Sequence, residues 1–83
     1  VNELVEPGQA VDAAIVLAER IAANAPVAVW ESRKVVLAAD AGASDEDLWN
    51  LSGAAFGRVA QTEDFAEGPR AFIEKRPPAW KGR

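Results

Sequence analysis

Five of the last sixteen residues are bases, Arg70, Lys75, Arg76, Lys81 and Arg83, and Glu74 alone opposes them. The same stretch carries Phe72 and Trp80. Clustered cations suit anionic oxygens, so a local phosphate site is the chemistry this ending favours. Residues 1–67 hold twelve acids and four bases, a net −8, whereas residues 68–83 sum to +4 and the whole chain to −4. Nucleic-acid surfaces need a broader basic stripe than this tip provides, so DNA or RNA binding is not expected.

The reactive inventory is otherwise short. Histidine and cysteine are absent, which removes the commonest general base, every Ser/His or Cys/His nucleophile pair, thiolate metal sites and disulfides. Carboxylates, a few hydroxyls and the lysines Lys34, Lys75 and Lys81 remain. The trio Asp45-Glu46-Asp47 could be read as metal ligands. Ser44 directly before it makes the group a helix start instead, with Asp47 at the capping-box position, and no oxygen-rich loop of calcium spacing follows.

The elements that must position the tip are helical. Val1-Asn2-Glu3-Leu4-Val5 alternates like a short strand and no turn or cap precedes it, so residues 1–5 read as a strand remnant of something longer, with a processed N-terminus as the alternative. Pro7-Gly8 is a turn, and residues 8–25 form a helix whose apolar face is Val11, Ala14, Ile15, Ala18, Ile21 and Ala22. Pro26 opens a second helix, 26–41, which is apolar on more than one face and so is expected to pack on two neighbours, with Gly42 ending it. The third, 44–60, buries a stripe that includes Leu48, Leu51, Ala55, Phe56 and Val59, and Gly53 and Gly57 could admit a close helix. The last, 62–76, is capped by Thr62, broken or kinked at Gly68-Pro69, and stopped by Pro77-Pro78. Trp30 and Trp49 are expected to be packing residues, Trp30 equally one that lines an acyl or subunit interface, Trp80 to dock the tail, and Arg76 to pair with a carboxylate or cap the last turn.

At 83 residues the chain is one domain at most, and chains of this size bury only about 60–65% of their unfolded surface, so a private core would be thin. No run reaches the ~18 apolar residues of a membrane span. A soluble, cytoplasmic protein is the expectation, with no membrane partner.

The run Glu67-Gly68-x-x-Ala71-Phe72-x-Glu74-Lys75-Arg76-x-Pro78-x-Trp80, preceded by Glu63-Asp64, closely resembles the C-terminus of the enoyl-CoA hydratase/isomerase (crotonase) family. Upstream, Val1-Asn2, Pro7-Gly8, the Ala-rich helix, Ala25-Pro26 with Lys34 eight residues on, and the cap at Ser44 agree in order and spacing. The resemblance covers the whole chain. It implies a mainly α fold, residues 1–83 being the C-terminal helical (oligomerisation) portion of a crotonase-type α/β fold, with the oxyanion hole and acid/base carboxylates of the ββα spiral core lying before Val1. It implies no catalytic residue here, no metal and no covalently bound cofactor. The parent would hydrate trans-2-enoyl-CoA thioesters in fatty-acid oxidation-type metabolism, with coenzyme A as part of the substrate. Its partners would be the missing core and the other subunits of a homotrimer or hexamer. Phe72 and Lys75 would contribute to a neighbouring subunit's CoA site. Being three apart, they would share a helix face, a flat ring beside an ammonium suiting adenine and phosphates. The residues alone leave Phe72 open as a core side chain and Lys75 as a dipole-complementing surface residue. An independent helical self-association module without a CoA site is the alternative reading.

Overall fold

The turn at Pro7-Gly8 forms with Gly8 at φ 84, and α1 then runs over Ala10–Ala22. The Asn24 side-chain amide donates to the carbonyls of Arg20 and Ile21, both at 3.1 Å, and so ends the helix three residues before the expected limit at 25. Pro26 occupies the first turn of α2, Pro26–Asp40, where its missing N–H costs nothing. The chain bends by 113° between α1 and α2. Gly42, at φ 88, closes α2: Gly42 N–H donates to Ala39 and Ala43 N–H to Ala38, a left-handed glycine cap.

Ser44 then caps α3, Asp45–Ala60, its hydroxyl accepting from Asp47 N–H at 3.1 Å. Thr62 does the same for α4, Glu63–Glu74, through Phe65 N–H at 3.2 Å. These local signals are read correctly from the residue types alone.

The computed structural model describes residues 2–83 and differs from expectation in its elements at further points. Residues 2–6 form no strand, and there is no strand among the described residues, because backbone groups cannot build a ladder without a partner; Val1 lies outside them. Pro69 does not break α4, which continues through it. Phe65 and Pro69 are both exposed residues, and the Phe65 carbonyl is the acceptor that loses its N–H partner. Finally, α4 stops at Glu74 rather than at 76, because Lys75 adopts the left-handed conformation (φ 55, ψ 45). Arg76 N–H then donates to Ala71 and Lys75 N–H to Phe72, the cap geometry usually given to glycine.

The helices pack as a flat plate. α2 lies against α3 and, less extensively, α1, in line with its two apolar faces. Yet among the described residues the only buried apolar ones are Ala55 and Ala71, and no large side chain is fully enclosed. The radius of gyration is 15.8 Å, against about 12 Å for a compact chain of this length. Val11, Ile15 and Ile21 of the expected α1 face, and Leu51 and Phe56 of the expected α3 stripe, stand exposed. Trp30 and Trp49 are exposed as well, Trp49 by 80%, so neither packs within the chain. Nothing approaches Gly53 or Gly57. No single helix is long and apolar enough to cross a membrane.

Candidate functional site

Beyond α4 the chain reverses and runs back along the helix it has just left. Arg76 donates from both terminal nitrogens to Glu67, at 2.6 and 3.0 Å, and its Nε to Glu74. Ala79 N–H reaches the same Glu67 carboxylate at 2.8 Å. The Trp80 ring lies over Gly68, where an added Cβ would meet it at 3.4 Å. Lys81 and Gly82 N–H each donate to one oxygen of Asp64 at 2.8 Å, and Asp64 N–H donates to the Arg83 carbonyl at 3.1 Å. Asp64 is only 3% exposed. The tail therefore satisfies one of the unpaired N–H groups at the α4 start, and Asp64 in turn anchors the tail.

These contacts change the reading of the charged ending. Arg76 pairs with Glu67 and Glu74, and Arg83 and Lys81 with Glu63. The Arg76 guanidinium, followed by the Ala79 N–H, pulls the Glu67 carboxyl down to about 2, and Glu67 with Glu74 raises Arg76. Glu63 is lowered by Arg83 and then Lys81. The cleft of about 340 Å³ between α4 and the tail is lined by these paired charges, among them Glu63, Glu67, Arg76 and Lys81. Among the described residues, Arg70 and Lys75 are the two bases of the tip that form no ion pair. The free cationic surface is thus narrower than composition suggests.

Phe72 is 85% exposed, which excludes the core role within this chain, and Lys75 is exposed beside it. They do not share a helix face as expected, because Lys75 is the left-handed cap; its N–H bonds the Phe72 carbonyl at 3.2 Å. A bare aromatic surface and an unpaired ammonium, one turn apart and next to Arg70, can stack a flat ring and meet an anion.

Sequence reasoning missed the part that Asp64 and Glu67 play in holding the tail. The signal was present in the motif itself: Glu67, Gly68, Ala71, Arg76 and Trp80 all touch or bury under the return of the chain, leaving Phe72 and Lys75 outward. Trp80 docks the tail as expected, its Nε1–H donating to the Ala23 carbonyl at 2.8 Å. A second missed feature is Glu31, buried between α2 and α3, which accepts from Arg58 Nε at 2.9 Å and Lys34 Nζ at 2.7 Å. Arg58 first and Lys34 second hold its carboxyl below the usual range. Both buried carboxylates among the described residues, Glu31 and Asp64, are thus engaged as structural hydrogen-bond partners. No cluster of His, Cys, Asp or Glu suited to a metal ion occurs among the described residues.

Two open apolar grooves flank α2. One of about 590 Å³ is lined by Ile21, Val29, Val36 and Leu37, and one of about 460 Å³ by Val35, Ala55, Phe56 and Val59.

The chain is similar to proteins whose names point one way. It is 42% identical over 78 residues to a putative enoyl-CoA hydratase of Thermus thermophilus, covering 94% of this chain and 30% of that protein. It is 42% identical over 86 residues to a carnitinyl-CoA dehydratase of Proteus mirabilis, covering 99% and 33%. Among solved structures, an enoyl-CoA hydratase from Mycobacterium tuberculosis superimposes with a TM-score of 0.87 at 38% identity, over 100% of this chain and 32% of that one. One from Mycobacterium marinum gives 0.87 at 41% identity, over 100% and 34%. No family model matches. The chain spans about a third of the length of the curated relatives it matches.

Proposed function

The chain belongs to the enoyl-CoA hydratase/isomerase (crotonase) family, in which it corresponds to the C-terminal helical portion, and from that premise we propose that it serves an enzyme hydrating trans-2-enoyl-CoA thioesters. In this reading the reaction belongs to residues N-terminal to these helices, where an oxyanion hole stabilises the thioester enolate and carboxylates move the protons. The portion described here binds and assembles. Its apolar grooves around α2 meet the core and other subunits of a trimer, and Phe72 with Lys75 completes a neighbouring subunit's CoA site, Phe72 against the adenine and Lys75 at the phosphates. Coenzyme A enters only as part of the substrate.

The observation that carries the reading is that Phe72 and Lys75 both stand exposed, on an ending where, among the described residues, Lys75 and Arg70 form no ion pair and the other bases are paired internally. The open apolar faces support assembly. They would equally serve a self-associating helical module without a CoA site, which a binding measurement separates. In the enzyme that carries this chain, Lys75→Ala should weaken CoA binding about five-fold, the scale of one solvent-exposed charge contact. The isolated chain should show no hydration of crotonyl-CoA. Unchanged affinity in Lys75→Ala and Phe72→Ala would leave the self-association reading.

A further inference from the structure

α4 has little helix packing of its own. The extensive helix pair is α2 with α3, with a sparser contact of α1 on α2, and α4 meets α3 through an edge-to-face contact of Phe56 and Phe65, ring centres 5.9 Å apart. Its link to the corner between α1 and α2 is made by the tail. Trp80 bonds the last carbonyl region of α1 at Ala23, and an added Cβ on Gly82 would lie 3.9 Å from Pro26 Cγ at the start of α2. The opposite side of the same segment is bound to α4 through Asp64, Glu67 and Gly68. Gly82 has φ 75, a conformation other residues avoid, and this turn lets consecutive N–H groups converge on Asp64.

We propose that Pro77–Arg83 is a positioning strap: wedged between α4 and the α1–α2 corner, it fixes the orientation of α4 and so the placement of Phe72 and Lys75. Asp64 and Trp80 are its two anchors, one on each side, and neither faces the outward surface that carries Phe72. Residues buried under the tail thereby act on ligand affinity through geometry alone. The functional half of this inference rests on the CoA reading above; the structural half does not.

Two variants test it. Trp80→Phe keeps an aromatic ring but removes the N–H donated to Ala23 and the benzo edge over Gly68, and Asp64→Asn keeps the shape but removes one of the two acceptors. In the assembled enzyme, on a cysteine-free background, spin labels at Glu19→Cys on α1 and Ile73→Cys on α4, both exposed positions, report the angle between the helices. Each variant should broaden the interlabel distance distribution. Each should also raise KM for the acyl-CoA about five-fold with kcat unchanged, and this increase should vanish when Lys75 is already alanine, because the strap acts through that contact. An unchanged distance distribution while the Lys81 and Gly82 amides exchange faster would overturn the strap. A broadened distribution with KM insensitive to Trp80→Phe and to Lys75→Ala alike would uphold the strap and remove the CoA role.

Discussion

On its own, this chain should lack a fixed tertiary structure. Folded monomers of 8.8 kDa expose about 4,800 Å², whereas this one exposes 6699 Å². The excess is about 1,900 Å², of which roughly 1,100 Å² is apolar at the usual surface composition. At about 25 cal/mol per Å², the missing burial amounts to about 27 kcal/mol. The whole stability of a domain this long is only about 4–12 kcal/mol, and even halving the deficit for a compact unfolded state leaves it larger. The isolated chain should therefore keep helical far-UV circular dichroism while showing weak near-UV signal from its three tryptophans, no cooperative melt, or concentration-dependent association in sedimentation velocity. A sharp two-state transition of a micromolar monomer with strong near-UV signal would refute the reasoning, since stability would then come without the burial held to be necessary.

Glu67 gives the tail a defined acid response. Its carboxyl is held at about 2 against an ordinary 4.5, so the stability it contributes is complete above about 4.5 and is lost as pH falls toward 2. The Trp80 indole proton resonance should shift over that window, and Glu67→Gln should abolish the dependence; a shift that persists would assign the titration to another group. Lys75→Gly should separate stability from binding. Glycine relieves the left-handed backbone at φ 55, raising stability by about 0.5–1 kcal/mol, while CoA affinity falls as in Lys75→Ala. A lower melting temperature would show that the lysine side chain stabilises the cap by more than its backbone costs.

The helix inventory was legible because its signals act over a few residues. Pro26, Gly42, Ser44 and Thr62 each satisfy or relieve backbone groups within four positions of themselves, so residue type alone located the ends of α2, α3 and the start of α4. The apolar positions were legible as well, but not what covers them. A periodic stripe states that a face must be buried, and in this chain most of that face is still open. The family pattern was legible as spacing, and its superposition on solved structures agrees.

What only the tertiary structure decided concerns the charged ending. By itself the sequence determined that acids precede bases along the last helix and that aromatic rings stand among them. It could not determine that α4 passes through Pro69, that Lys75 rather than a glycine turns left-handed, or that Glu31 pairs with an arginine 27 residues away. Nor could it show that Lys81 and Gly82 return to Asp64, 17 and 18 residues back, or that Trp80 reaches Ala23 across 57. The reason is that a charge placed in a sequence has many candidate partners of opposite sign. Chain reversal selects among them by bringing one donor within hydrogen-bond distance, and here it consumed most of the basic tip and left Phe72, Arg70 and Lys75 facing outward.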